Sequence, residues 1–314
     1  MTAYKTLSFP KEKIRVLLLE NIHPNAVQLF QDETYQVEQI KGALDEEELA
    51  EKISDIHILG IRSKTQITAK VLERASRLLC IGTFCIGANQ VDLKARSRKG
   101  VVVFNAPYSN TRSVVELAIG EMIMLLRNTF TKSTQMHQGI WDKDATHSVE
   151  IRGKKLGIIG YGNIGAQLSV LAEAMGMQVL FFDIADRLAL GNARKCKTLD
   201  ELLEQSDVIT LHVDGRTQNT ELIGAAEFAR MKPQVIFLNL SRGHIVDIQA
   251  LKDVMLSGKV RGCAMDVFPY EPKTNEEGFE SPLRGLPNMI LTPHIGGSTE
   301  EAQANIGEFV AQKL

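Results

Sequence analysis

Gly160, Gly162 and Gly165 stand in the run Gly-Tyr-Gly-Asn-Ile-Gly, directly after the apolar stretch Leu156–Ile159. Asp183 closes a second apolar stretch, Val179–Phe182, roughly twenty residues further on. A strand, a glycine-rich turn, a helix and an acidic residue in that order fit a dinucleotide. Gly160 allows the tight turn, Gly162 lets backbone approach a pyrophosphate, and Gly165 lets helix and strand pack closely. The helix start supplies free N–H groups and the positive end of its dipole. Asp183 can accept hydrogen bonds from an adenosine ribose and would repel a 2′-phosphate, which favours NAD over NADP. Three further residues follow apolar runs in the same half. Arg242 lies in Asn239-Leu240-Ser241-Arg242-Gly243, Glu271 between Pro269 and Pro272, and His294 in Thr292-Pro293-His294-Ile295-Gly296-Gly297. Taken singly they read as a surface arginine, a loop glutamate and a turn histidine. Taken together they supply a guanidinium for a carboxylate, an imidazole to move a proton and a carboxylate to raise the imidazole's pKa, which is a coherent set for hydride-transfer chemistry.

The elements that must position these groups alternate along the chain. Strands are expected at Ile14–Leu19, Ile56–Ile61, Leu78–Ile81 and Val101–Phe104, with helices at 45–53, 68–75 and 91–98, the last closed by Gly100. Ser113 and Glu116 read as a capping box for a long helix over Val114–Leu126. A second set follows, with strands at 156–159, 179–182, 208–211, 235–238, 262–265 and 289–291. Its helices start at Ile164 and span 199–204, 225–231 and 248–256, and a last helix opens at Ser298-Thr299-Glu300-Glu301, again read as a capping box. Repeated strand–helix units imply parallel sheets with helices on both faces. The fold class expected is therefore α/β, with two Rossmann-like or flavodoxin-like domains and an active-site cleft between them. Only the second set carries the glycine turn. Ligands of such sheets sit at the carboxyl ends of the strands, which is where Arg242, Glu271 and His294 fall.

Composition excludes several other classes. With 314 residues the chain is long enough for two domains, and its 44% hydrophobic and 24% charged content is ordinary for a globular protein. The net charge of −2, without a basic run, argues against nucleic acid as a partner. Cys80, Cys85, Cys196 and Cys263 show no metal-ligand spacing, so no metal is expected, and they fit a reducing cytoplasm better than a disulfide framework. The polar residues 1–13 do not read as a signal peptide, and Val114–Leu126 carries Glu116 and Glu121, so no membrane contact is expected. That helix has more apolar surface than one small domain needs. It is a candidate two-fold interface, with Trp141, the only tryptophan, either buried across it or packed in the core.

The Gly160–Gly165 turn, Asn239–Asp247, Asp266–Pro272 and Thr292–Thr299 together resemble the D-isomer-specific 2-hydroxyacid dehydrogenases. Arg62-Ser63, Ile86-Gly87 with Asn89-Gln90-Val91-Asp92, and Asn105–Val114 bring the likeness nearest to that family's bacterial phosphoglycerate-oxidising members. The resemblance covers nearly the whole chain. It implies that Arg242 binds substrate, Glu271 pairs with the histidine and His294 is the acid/base. It also implies that Asn163, Ile164, Asp183, Leu240, Ser241, Asp266, Gly296 and Gly297 lie along the NAD. The family's substrate domain is discontinuous, which here implies residues 1–109 with 297–314, and 110–296 for NAD. The reaction implied is oxidation of 3-phospho-D-glycerate to 3-phosphohydroxypyruvate, the first step of serine biosynthesis, by a cytoplasmic homodimer or dimer-based homo-oligomer. For the phosphate, the candidate cations are Arg62, Lys64 and Arg112, with Ser63, Asn110 and Ser113 adding hydrogen bonds, against a reading of these residues as solvated surface. The alternatives are a reductase for another D-2-hydroxy acid or 2-oxo acid (2-oxoglutarate, hydroxypyruvate, glyoxylate) and an NAD-sensing, corepressor-like binding protein. Serine-regulated members carry a C-terminal sensing domain. This sequence ends at Leu314 in what reads as the last helix, so serine feedback through it is not expected.

Overall fold

The computed structural model of the chain describes residues 9–272 and 276–314. The chain divides into two compact units, Met1–Asn110 with Ser298–Leu314, and Thr111–Gly297. The first unit runs β1 (Arg15–Leu18), α1 (Pro24–Asp32), β2 (Gln36–Gln39), α2 (Glu46–Lys52), β3 (Ile58–Ile61), α3 (Ala69–Arg74), β4 (Cys80–Thr83), α4 (Leu93–Lys99) and β5 (Val102–Asn105). Its five strands are all parallel, in the order β2-β1-β3-β4-β5, the flavodoxin-like arrangement. The second unit runs α5 (Thr111–Leu126), α6 (Thr129–His137), β6 (Lys155–Ile159), α7 (Asn163–Ala174), β7 (Gln178–Phe182), β8 (Arg194–Lys195), α8 (Leu199–Gln205), β9 (Val208–Leu211), α9 (Ala225–Arg230), β10 (Val235–Asn239), α10 (Ile248–Leu256), β11 (Val260–Met265) and β12 (Met289–Leu291). Its seven-stranded parallel sheet has the order β12-β11-β10-β9-β6-β7-β8, the Rossmann order extended by one strand. The last helix, α11 (Glu300–Ala311), belongs to the first unit and packs on α1 and β4.

Alternation along the strands divides each unit's core into two layers. In β10, Val235 and Phe237 join one cluster with Ile159, Ile209 and Leu211, while Ile236 and Leu238 join the other with Leu156, Ile158 and Val208. In the first unit, Leu17, Leu59 and Ile81 face one way and Val16, Leu18 and Ile58 the other. Apolar residues on both faces of a strand need helices above and below the sheet, which is why these strands are parallel and joined by helical crossovers. Local signals set several helix ends. Asp45 and Glu48 exchange the reciprocal hydrogen bonds of a capping box at α2, and α4 stops at Gly100 in the left-handed conformation (φ 71°).

Four expectations need correction. α5 begins at Thr111, so Ser113 lies inside its first turn instead of capping it, and the Glu116 carboxylate accepts from Arg112 Nε at 2.5 Å. At α11 the cap is Thr299, whose hydroxyl accepts from Ala302 N–H at 3.1 Å. Trp141 is 76% exposed within the chain, so it does not pack in the core. Three elements, β2, α6 and β8, form where the sequence shows no apolar periodicity; α6 buries none of its residues. Among the described residues, no helix is long and apolar enough to cross a membrane.

Candidate active site

The strand order of the second unit reverses between β6 and β9, and the glycine turn leaves β6 at that point. Each glycine has its own reason. Gly160 has φ 92°, and a Cβ there would sit 2.6 Å from the His212 carbonyl oxygen at the end of β9. A Cβ on Gly165 would collide with the Gly160 carbonyl, so helix and turn meet only without a side chain. Gly162 is different, because a Cβ there meets no protein atom within 4 Å. The space is open, and Gly162, as N-cap of α7, offers no side-chain oxygen to the first-turn N–H groups of Asn163 and Ile164. Free donors at a helix N-terminus beside open space suit an anion such as a pyrophosphate.

Asp183 ends β7 beside this turn. Its carboxylate accepts from the N–H groups of Tyr161 and Ala185, both at 2.8 Å, and its side chain is only 11% exposed. Two oxygens offer about four acceptor sites, so capacity remains for ribose hydroxyls. Arg187 Nε lies 3.8 Å away but is half exposed, a weak pairing that leaves the carboxylate's negative character. The Tyr161 ring is buried and stacked on Phe181 at 3.8 Å between centroids, which fixes the turn from below.

Arg242, Glu271 and His294 come together at the ends of β10, β11 and β12. Asn239, wholly buried at the end of β10, accepts from Ser241 N–H (3.0 Å) and Oγ–H (2.8 Å) and donates to the Arg242 carbonyl (3.0 Å). Any side chain on Gly243 would run into the backbone of Phe268 and Pro269, so the Arg242 loop rests directly on the segment leading to Glu271. Glu271 Oε1 accepts from Phe268 N–H at 3.0 Å, and Oε2 pairs with His294 Nδ1 at 2.8 Å. His294 adopts φ 55°, a conformation rare for a residue with a Cβ. The buried Asp266 carboxylate holds it there, accepting from Thr292 Oγ–H (2.6 Å), Ile295 N–H (2.8 Å) and Gly296 N–H (2.8 Å).

The electrostatics follow from this geometry. The hydrogen bond to Glu271, helped by the charges of Glu271 and Asp266, raises the His294 imidazole above its ordinary pKa, against burial and the nearby Arg242 cation. Burial would lift the Glu271 carboxyl, but the bonds from His294 and the Phe268 N–H outweigh it and hold the group below its ordinary value. An ionised carboxylate can only accept, so Nδ1 carries its proton and Nε2 is left as the basic nitrogen.

The remaining candidates are spread over both units. Leu240 and Ser241 are buried in the Arg242 loop, and Gly296 lies against the Asp266 carboxylate. Gly297 is the last residue of the second unit. Arg62, Ser63, Lys64 and Asn110 belong to the first unit, whereas Arg112 opens α5 in the second and pairs with Glu116. Sequence reasoning did not single out Asn239, which holds the Arg242 loop, or Glu20, whose carboxylate accepts from the N–H groups of Arg62, Lys64 and Thr65. The available signal was a polar residue beside a strong apolar strand, Asn239 after Phe237-Leu238 and Glu20 after Leu17–Leu19.

Residues 119–296 match the D-isomer specific 2-hydroxyacid dehydrogenase, NAD binding domain. The chain is 54% identical over 309 residues to a D-3-phosphoglycerate dehydrogenase of Dictyostelium discoideum, covering 98% of this chain and 76% of that protein. It is 51% identical over 309 residues to the D-3-phosphoglycerate dehydrogenase of Escherichia coli K12, covering 98% and 75%. Among solved structures, the D-lactate dehydrogenase of Aquifex aeolicus complexed with NAD and lactic acid superposes with a TM-score of 0.80 at 26% identity, over 95% of this chain and 93% of that one.

Proposed function

The chain belongs to the D-isomer specific 2-hydroxyacid dehydrogenases, and from that premise we propose that it oxidises 3-phospho-D-glycerate to 3-phosphohydroxypyruvate with NAD, the first step of serine biosynthesis. The observation that carries the chemistry is the 2.8 Å pair between His294 and Glu271 at the carboxyl edge of an NAD-binding sheet. NAD, when bound, would supply the hydride acceptor for the C2 hydrogen of the substrate. Arg242 grips the C1 carboxylate and the C2 oxygen. His294 Nε2 takes the C2 hydroxyl proton as the carbonyl forms, and the Glu271 carboxylate stabilises the imidazolium that results. In the reverse direction the same imidazolium returns the proton. Asn163, Ile164 and the glycines would cradle the pyrophosphate, and Asp183 would hold the ribose. Leu240, Ser241, Asp266, Gly296 and Gly297 would line the rest of the cofactor.

The choice of substrate is supported by the names of relatives that are more than half identical. In this reading residues 1–109 with 297–314 bind substrate and 110–296 bind NAD, with Arg62, Ser63, Asn110 and Arg112 around the substrate phosphate and Lys64 beside them. The free cysteines support a cytoplasmic setting. Exposed Phe130, Met136, Ile140 and Trp141 on and after α6 support a two-fold assembly of this chain. The test of the substrate is kcat/KM for 3-phospho-D-glycerate against D-glycerate, in the unaltered protein and in Arg62→Ala. A strong preference for the phosphorylated acid that collapses in the variant is expected. Equal or faster use of D-glycerate by the unaltered protein would assign it to unphosphorylated acids, and NADH binding without any turnover would assign it to the NAD-sensing binders.

A further inference from the structure

The Arg62 backbone, just beyond β3, is held from both sides by groups buried in the first unit. The Glu20 carboxylate accepts from three N–H groups of the loop, those of Arg62 (3.1 Å), Lys64 (2.9 Å) and Thr65 (2.9 Å). Gln90 Nε2 donates to the Arg62 carbonyl, and the Cys85 thiol approaches the same oxygen at 3.5 Å. Glu20 is 7% exposed and Gln90 8%. Glu20 itself sits at φ 61°, with its N–H donating to the Gly42 carbonyl at 2.9 Å. A residue with a Cβ keeps that conformation only where its surroundings insist on it, and such residues gather at ligand-gripping segments.

The consequence for an anion is specific. A loop presenting several N–H groups is ordinarily an anion site in its own right. Here three of those donors are already taken by Glu20. A phosphate meeting this loop is left with the Ser63 N–H and the side chains, and their placement depends on the clamp.

We propose that Glu20 and Gln90 are positioning residues for the substrate phosphate, fixing the loop at 62–65 so that Arg62 and Ser63 present a preformed grip selecting phosphorylated acids. The inference rests on the function proposed above. It predicts a KM effect confined to the phosphorylated substrate, because neither residue touches the chemistry at C2.

The test is Glu20→Gln in the full chain. The amide offers one acceptor oxygen in place of two and no charge, so the three N–H groups cannot all remain satisfied. Expected are a rise of about tenfold or more in KM for 3-phospho-D-glycerate, kcat within about twofold, and no change in KM for D-glycerate or in NADH affinity. Glu20→Asp, which keeps the charge on a shorter arm, is expected to restore part of the loss. Gln90→Ala removes the carbonyl side alone and is expected to raise the same KM by a smaller factor; it carries the test if Glu20→Gln does not fold. An unchanged ratio of the two substrates' KM values in folded variants overturns the clamp, as does an equal loss on both substrates. If the unaltered protein shows no preference for the phosphorylated acid, the proposed substrate falls and the clamp falls with it. A preference that survives in every variant removes the clamp alone.

Discussion

Replacing Glu271 by glutamine removes the charge behind the proposed proton transfer. The side chain keeps its shape, but its single carbonyl oxygen can accept from only one of the two donors, Phe268 N–H and His294 Nδ1–H, that Oε1 and Oε2 meet at 3.0 and 2.8 Å. What is lost is the negative charge opposite the imidazolium, together with one of the two accepted hydrogen bonds. Hydrogen bonds to charged groups contribute about 1.5–3 kcal/mol. The two side chains are 48% and 36% exposed, so solvent screening moves the figure to the lower end, about 1–2 kcal/mol. That corresponds to a loss of roughly fivefold to thirtyfold in kcat/KM. The pH profile carries more information than the rate. Glu271 raises the His294 pKa, and oxidation needs the neutral imidazole, so the rate climbs as pH rises through that raised value. Without the charge the pKa drops, and the acid limb moves to lower pH. Reduction needs the imidazolium, so its falling limb moves to lower pH as well. Initial rates of NADH formation and consumption across pH measure both limbs. Limbs that stay in place while the rate falls would show that Glu271 does not act through His294.

The glycine turn separates binding from folding. Gly162→Val places a side chain in open space and is expected to weaken NADH binding at least about tenfold with little change in unfolding midpoint, whereas Gly165→Val meets the Gly160 carbonyl and is expected to cost about 1–3 kcal/mol of stability. Asp183→Ser removes the charge facing the ribose; the ratio of kcat/KM for NAD over NADP is expected to fall about tenfold or more. Glu121, on α5, is wholly buried with both carboxyl oxygens unpartnered, and burial, reinforced by the Asp266 charge, pushes its pKa up to about 8. A folded pKa above the unfolded one makes stability greatest below the ordinary carboxyl value and lowers it as pH climbs toward about 8. Glu121→Gln should therefore gain a few kcal/mol over the unaltered protein near pH 9 and little near pH 4, read by urea unfolding at each pH.

Much of this was legible because burial leaves a plain mark in sequence. β9, β12 and α10 occupy the residues that their apolar patterns indicate, Val208–Leu211, Met289–Leu291 and Ile248–Leu256. The polar strand β2, Gln36-Val37-Glu38-Gln39, forms at the sheet edge, where its pairing with β1 and the packing of Val37 stabilise it, and neither leaves a periodicity to read. The start of α5 was misjudged because Ser113 and Glu116 have capping spacing, while the fold uses Glu116 for the (i, i+4) partner Arg112. Arg242, Glu271 and His294 could be singled out because each follows a strand of one parallel sheet. The hydrogen bonds that Asp266 and Glu20 make to distant loops could not. Asp266 reaches forward to Ile295 and Gly296, and Glu20 reaches across to Arg62, Lys64 and Thr65; such long separations become contacts only once the sheet is assembled.

The central claim is that His294 moves the proton while NAD takes the hydride. Its most direct measurement is NADH formation from 3-phospho-D-glycerate at alkaline pH, with the oxo product trapped, for the unaltered protein beside His294→Ala. Loss of general-base catalysis is expected to slow turnover by about 10²–10⁴-fold, with NADH affinity retained because the glycine turn and Asp183 are untouched. A variant that turns over at the unaltered rate would contradict the assignment of His294, and an unaltered protein that forms no NADH would contradict the proposed reaction itself.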